Sequence, residues 1–283
     1  MSSIKTLTFI NANEESFVFS ETLPYLITEL DLGDPQVTTM QDKNYNQDGE
    51  QYYGSRLDMR SIDFTVCLEG TSEEDVLDMR RQAYRVLNPR LGLGTLIYYD
   101  GYRRWRIQAT VSYLTTRDEI DETIKELDVG LNAPDPAWES DAQHAIKLVG
   151  AIGGLSFPKS YPIAYAKQGD QCEIDYQGTL DAPLLIEFRG PATMPKIMKK
   201  ESGEFIEVDV DLVDGEKLYI STVPTDIDAY IIDASGERQS AFHYIKPVKS
   251  YLQLTQGMNT LAFSAASGSP EVYLYWRDRY VGV

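Results

Sequence analysis

Two cysteines and two histidines in 283 residues leave little material for several kinds of chemistry. Cys67 and Cys172 lie in different halves of the chain, so a disulfide framework is not indicated and synthesis in a reducing cytoplasm fits. A zinc site lacks its ligands when both histidines and both cysteines are separated in this way. His144 and His243 are the only imidazoles that a serine or cysteine nucleophile could use; neither sits in a recognisable motif, and each reads as a surface or locally hydrogen-bonded residue. Long apolar runs are also missing. The longest, residues 148–155, is broken by Gly150, Gly153 and Gly154 and cannot span a bilayer, and no signal peptide is expected at Met1. Bases are scarce, 26 Lys and Arg against 44 Asp and Glu, for a formal net charge of −18. Such an excess repels polyphosphate and anionic headgroups, so neither specific nucleic-acid binding nor membrane-surface binding is expected.

What remains is the composition of a globular chain, 42% hydrophobic and 25% charged, long enough for two cores. The stretch Asn132-Ala133-Pro134-Asp135-Pro136-Ala137-Trp138 divides it, because two prolines within three residues fix φ and withdraw two backbone donors. The expected organisation is an N-terminal domain over 1–133, a linker over 134–141 and a C-terminal domain over 142–283. In the first half Ile62, Phe64, Val66 and Leu68 alternate with Asp63, Thr65, Cys67 and Glu69, a strand with one face on a core and Cys67 on the other side. After Gly70, Thr71 supplies an N-cap with an acid three residues later, and a helix follows over about residues 72–87. Its stripe is Val76, Leu77, the stem of Arg80, Ala83, Tyr84 and Leu87, while Arg80, Arg81 and Arg85 suit its C-terminal half and Asn88-Pro89 ends it. Asp100-Gly101 marks a hairpin between strands expected over 95–99 and 103–107; a third strand over 108–114 continues the same run after a bend, and 124–131 supplies another. The N-terminal domain is therefore read as an α+β sheet with one helix.

Residues 34–55 form a polar stretch with no sustained apolar face, unusual in a compact domain. It is either mobile or a long hairpin tipped near Asp48-Gly49 that packs on something outside its own domain. Tyr45, Tyr52 and Tyr53 favour packing on a partner, since tyrosine offers large contact area with a polar handle.

Beyond Trp138 strand patterns follow at short intervals, over 161–166, 171–176, 184–188, 205–212, 217–221, 229–232, 251–254, 260–264 and 271–276, with turn residues between them. An antiparallel β-sandwich is expected. Asp209, Asp211, Asp214 and Glu216 could gather hard oxygens for calcium, but the spacing does not match an EF-hand loop. The preferred reading is an outward strand face, with Val208, Val210 and Leu212 turned inward. Gly92-Leu93-Gly94 lacks the rest of a phosphate loop. No catalytic centre, metal site or cofactor is expected.

Three blocks, in order, resemble the siphovirus distal tail protein family. The first is Arg60-Ser61-Ile62-Asp63-Phe64 with the acid-capped helix, Leu87-Asn88-Pro89 and Gly94-Thr95-Leu96-Ile97-Tyr98. The second is residues 132–138, similar to the family's Pro-Asp-Pro-aromatic crossing, with Ala133 where a cysteine often occurs. The third comprises residues 252–261, Val272-Tyr273-Leu274-Tyr275-Trp276 and Tyr280-Val281-Gly282-Val283. The resemblance implies a mainly β protein with a split-barrel-like, tail-tube-like N-terminal domain and a galectin-like C-terminal sandwich. It implies a structural baseplate hub adaptor and not an enzyme: a six-fold ring at the virion tail tip, made in the host bacterial cytoplasm, that joins the major tail tube protein to a tail-associated hub protein, contacts receptor-binding proteins and lets DNA through. In that setting Asn44, Tyr45, Asp48, Gly49, Tyr52 and Tyr53 become a hairpin that embraces the adjacent subunit. Asp31, Asp34, Asp42, Asp48 and Glu50 become candidates to face the channel, because acidic walls repel transiting phosphate. The competing classes are a carbohydrate-binding module and a tail-associated cell-wall glycan hydrolase, neither with a diagnostic motif.

Overall fold

The structure, a computed structural model, describes residues 4–46, 48–148, 170–224, 226–246 and 251–283. The strand expected over 161–166 lies outside the described residues. The chain forms two compact units, Met1–Asp141 with Tyr280–Val283, and Ala142–Arg279. The second unit starts at Ala142 and ends at Arg279, while Tyr280–Val283, expected in the second domain, belong to unit 1. Residues 134–141, expected as a linker, belong to unit 1, where Trp138 is fully buried in the core. The two prolines end one strand and start the approach to that anchor, so they mark a corner inside the unit.

Unit 1 comprises β1 (Thr6–Ile10), β2 (Ser16–Ser20), β3 (Tyr25–Asp31), β4 (Val37–Asp42), β5 (Gln51–Leu57), β6 (Arg60–Glu69), helix α1 (Glu73–Val86), β7 (Gly94–Tyr99), β8 (Arg104–Asp121), β9 (Ile124–Ala133) and β10 (Trp138–Ser140). The main sheet runs β8-β7-β1-β2-β3-β6-β9, and β9 pairs back onto β8, so the sheet closes on itself as a barrel. Closure is possible because β8 is 18 residues long. Its first part pairs with β7 as far as Ala109 and its second with β9 from Thr110, and a register shift at Val111/Tyr113 bends it just past that handover. The sequence pattern had set the first half of this strand apart from a continuation after a bend; the structure shows one strand with a bulge.

The core-facing register of β6 is the clearest case of pattern becoming structure: Ile62, Phe64, Val66 and Leu68 are all buried, while Ser61 and Glu69 face out. Helix α1 packs on β6, β2 and β9 through Val76, Ala83 and Val86, each buried side chain of this kind contributing about 1–3 kcal/mol. Its N-cap is Ser72 and not Thr71. The Ser72 hydroxyl accepts from the Asp75 amide at 3.2 Å, and the Asp75 carboxylate accepts from the Thr71 amide at 2.9 Å and from its hydroxyl at 3.1 Å. The expected capping box is thus present one residue along, because Asp75 is the acid short enough to turn back on the preceding backbone.

Unit 2 is antiparallel throughout its described sheets. A six-stranded sheet has the order His144–Leu148, Glu271–Trp276, Leu185–Arg189, Lys217–Val223, Asp226–Ile232, Arg238–Ser240. A four-stranded sheet has the order Asp170–Tyr176, Gly257–Ser264, Lys196–Lys199, Phe205–Glu207. Both contribute to one apolar core, with Ile186, Phe188, Leu218, Ile220, Val272 and Leu274 from the first and Ile174, Ile197, Ile206, Leu261 and Phe263 from the second. This is the sandwich expected from the strand spacing. The strand expected over 205–212 is two pieces, Phe205–Glu207 and Asp211–Leu212, in different sheets. Between them Val208 bridges to Ile245, and the break lets one segment serve two layers.

Candidate assembly surface

The polar stretch of residues 34–55 is a hairpin. Strands β4 and β5 pair only with each other, from Val37↔Leu57 to Asp42↔Gln51, and belong to no other sheet among the described residues. A register shift between Met40 and Gln41 leaves Tyr53 as the extra residue, between Gly54 opposite Met40 and Tyr52 opposite Gln41. The arm is open to solvent along most of its length: every β4 residue is exposed, as are Tyr45 at 96%, Tyr52 at 62% and Tyr53 at 60%. A lone two-stranded hairpin is marginal in water, and both long borders of this one carry free backbone groups. The tip turns through Asn46 and Gly49, both at positive φ. Of the six residues expected at a subunit interface, Asn44, Tyr45 and Asp48 gather round a shallow concavity with Lys43, Gly49 lies beside them in the turn, and Tyr52 and Tyr53 follow on β5. The Tyr52 hydroxyl donates to the Ser55 hydroxyl at 3.0 Å.

The base of the arm is held by a residue whose role the sequence reading did not assign. Arg60 opens β6 on the same register as Ile62 and Phe64, so its side chain points into the core and is 1% exposed. Its guanidinium donates to three backbone carbonyls: Pro136 at 2.8 Å, Gly33 and Val281. Three segments remote in sequence are thereby tied to one planar fork, the geometry for which arginine has no substitute. Burial draws its pKa down, and the Asp34 carboxylate opposes that. Gly33 sits at φ +72°, and a Cβ there would lie 1.9 Å from the Ser61 carbonyl oxygen, so only glycine lets the arm leave the barrel at this point. A base in the core-facing half of an alternating strand was the available signal.

The five acids proposed for a channel fall into two groups. Asp42, Asp48 and Glu50 are on the arm, whereas Asp31 and Asp34 are at its root. Asp31 accepts from the Gly33 amide at 2.8 Å and lies opposite Asp63. Asp31, Asp63 and Asp128 line an open concavity of ≈ 320 Å³ on the outside of the barrel, together with Tyr113 and Arg117. There the Tyr113 hydroxyl donates to Asp63 at 2.8 Å, and Arg117 pairs with Asp128 at 2.7 Å. The Tyr113 ring occupies the space over Gly130, where a Cβ would meet it at 2.1 Å.

The residues weighed for chemistry are dispersed. Cys67 and Cys172 are free thiols in different units; burial pushes Cys67 up and Cys172 to about 11, the opposite of an activated nucleophile. His144 stacks on Trp276 and meets the Asp278 carboxylate at 3.1 Å, while His243 packs on Tyr244 in a short 3₁₀ turn. Val208 and Leu212 are buried with Asp209 and Asp211 exposed, so the in-and-out alternation of that acidic run is present although the strand itself is interrupted between Glu207 and Asp211. Among the described residues no group of three or more His, Cys, Asp or Glu is placed to hold a metal. No described helix is long and apolar enough to cross a membrane.

A closed barrel carrying an unpaired arm is followed by a sandwich, and both parts match models of phage tail proteins. Residues 15–132 match the family model of the phage tail protein RIFT-related domain, and residues 177–280 match that of the siphovirus-type tail component, C-terminal domain. The chain belongs to the siphovirus distal tail protein family, and its role is structural, in the distal tail of the virion. Among solved structures it is similar to Dit (gp 19.1) of phage SPP1, reported as a paradigm of the hub adsorption apparatus in phages infecting Gram-positive bacteria, at 12% identity and a TM-score of 0.66 over 96% of this chain and 98% of that one. It is also similar to a chain of the phage P2 baseplate in its activated conformation with calcium, at 11% identity and a TM-score of 0.61 over 99% of both chains. The phage p2 baseplate with strontium gives 12% identity and a TM-score of 0.57 over 96% and 97%. At these identities the likeness is one of fold. No curated protein matches the sequence.

Proposed function

We propose that copies of this chain close into a six-fold ring that joins the tail tube to the baseplate hub and leaves an axial opening for DNA. The observation that carries this reading is the arm: a hairpin with Val37, Met40, Tyr45, Tyr52 and Tyr53 exposed and two unpaired borders is an incomplete element. A neighbouring copy completes it by covering the tyrosines and pairing with a border, the pattern of strand-addition interfaces. The major tail tube protein on one side and the hub protein on the other are the partners this role requires, with receptor-binding proteins further out. Deleting residues 44–53 is expected to abolish rings in negative-stain images while the thermal unfolding of both units is retained. Closed rings from that variant would end the proposal.

In such a ring Asp31, Asp34, Asp42, Asp48 and Glu50 supply negative potential to the opening, consistent with a chain of net charge −18. Rings carrying Asp42→Lys, Asp48→Lys and Glu50→Lys are then expected to retain linear duplex DNA in a gel-shift assay at low salt, because cationic walls release counterions from phosphate. If the triple variant retains no more DNA than the parent, these acids face elsewhere.

A further inference from the structure

The outer surface of the barrel in unit 1 differs in charge from one side to the other. On the side that carries the arm, Glu29 and Asp31 of β3, Asp63 of β6 and Asp128 of β9 gather round the open concavity described above, with Arg117 as its one base. The strands across from it carry no carboxylate: Thr6–Ile10, Ser16–Ser20, Gly94–Tyr99 and residues 104–109 contain none, although the chain holds 44 acids. Arg104 and Arg106 alternate there with the buried Trp105 and Ile107 and so face outward. Paired residues form a row over this side, Val18↔Thr8↔Ile97↔Arg106, beside a second row, Ser16↔Ile10↔Thr95↔Gln108. Val18 is 49% exposed, and Ile10 and Ile97 are half-buried. They stand on the face of a sheet where water on one side normally selects polar residues. Neither Arg104 nor Arg106 makes an ion pair among the described residues. Glu139 stands opposite Arg106 on β10, and Asp100 is taken up by the Trp105 indole at 3.0 Å and by the amides of Tyr102 and Arg103.

The closed order of the sheet sets these two sides against each other. The arm leaves between β3 and β6. Going round from β3 the strands are β2, β1 and β7, and from β6 they are β9, β8 and β7, so β7 lies across the barrel from the arm. A ring is built from a heterologous contact, in which one surface of each copy meets a different surface of the next. We propose that the outward face of β2, β1, β7 and the start of β8 is the receiving surface for the arm-bearing side of the next copy. This inference deepens the ring reading and rests on it. Met40 and the tyrosines of the arriving arm cover Val18, Ile10 and Ile97, while Arg104 and Arg106 lie against the Glu29 and Asp63 side of the arriving barrel. Arginine suits that place, because a weakly hydrated guanidinium gives up water readily and meets carboxylates through a planar fork. The paired length of the arm, about 20 Å at strand rise, is enough to cross four receiving strands, about 15 Å.

Association of the full-length chain is read by sedimentation and by negative-stain images. The pair Arg104→Glu and Arg106→Glu is expected to raise the concentration needed for association about tenfold or more without early melting, and the pair Glu29→Lys and Asp63→Lys to do the same from the other side. All four substitutions in one chain restore opposite charges across the contact and are expected to recover association. If the first pair melts early, Arg104→Gln with Arg106→Gln replaces it. A second measurement does not depend on charge: Met40→Cys with Ile97→Cys, treated with a short bis-maleimide, is expected to give a ladder of linked chains on denaturing gels that neither single variant gives. Rings that survive both charge reversals, a fourfold variant no better than either pair, or intact rings that yield no ladder would each overturn the inference. Two failures are told apart by the chain lacking residues 44–53. If it still closes into rings, the ring reading itself has failed; if it does not, while the reversals behave as the parent, the ring stands and its receiving surface is another face.

Discussion

Arg60 concentrates more of unit 1 in one side chain than any other residue described above. Replacing it with methionine keeps the volume but strands the carbonyls of Gly33, Pro136 and Val281 away from water, and a buried acceptor left without a donor costs about 1–3 kcal/mol. Arg60→Met is therefore expected to destabilise unit 1 by on the order of 3 kcal/mol or more, read as a lowered melting transition. Arg60→Lys recovers only part of that, since one ammonium cannot reach three acceptors set around a planar fork. Arg60 was visible in the sequence as the first residue of an alternating strand on its buried parity, but a single strand cannot say which distant carbonyls it will meet. Trp138 is a similar case. The prolines before it read as a boundary, and only the packed barrel shows that the tryptophan pulls residues 134–141 into unit 1.

At the scale of elements, the helix and β6 were legible because each carries its own periodicity and stop signals. The cap differed by one residue, which makes a direct test: Ser72→Ala is expected to lower stability by about 1 kcal/mol and Thr71→Ala by less, measured by urea unfolding. The barrel was less legible. Strands β1 to β3 are short and mixed in composition, and β8 reads as separate pieces because its bulge interrupts the alternation just past the handover from β7 to β9. Register across a closed sheet is set by partners more than 50 residues away, as with Phe64 and Val129, and such pairs leave no local mark. The arm was legible as an anomaly, a polar stretch with tyrosines and nothing to bury them against; that it forms a regular hairpin depends on the pairing Val37↔Leu57, which spans the whole stretch. In unit 2 the paired residues Lys147, Tyr273, Glu187, Tyr219 and Tyr230 left no local mark because they come from five strands distributed over residues 147–273.

Over the whole molecule, the acids decide how stability responds to pH. Burial would raise the Glu187 carboxyl, but hydrogen bonds from Arg189 and Tyr275 outweigh it and hold its pKa below the ordinary value of 4.5. The Lys246 hydrogen bond likewise lowers Glu207. A depressed carboxylate means that the unfolded chain binds more protons in this range, so stability is present above the ordinary value and is lost as pH falls through the depressed ones. Unit 2 is therefore expected to melt progressively earlier as pH is lowered below about 4.5, and Glu187→Gln to flatten that slope in calorimetric scans. At the alkaline end burial, followed by the bond to Glu187, pushes the Tyr275 phenol from 10.0 to about 12. The folded state keeps that proton longer, so its contribution is present below 10.0 and is lost as pH rises through about 12. A melting temperature insensitive to pH at both ends would mean that these groups are hydrated in solution.

The third carbonyl on Arg60 has a consequence in time. Val281 is translated after the whole of residues 142–279, so the last of the three contacts of Arg60 waits on a segment that follows another folding unit, although most of unit 1 emerged long before. Unit 1 therefore does not finish its own packing in chain order: its Gly33 and Pro136 contacts are available early, and the final strut at the root of the arm arrives late.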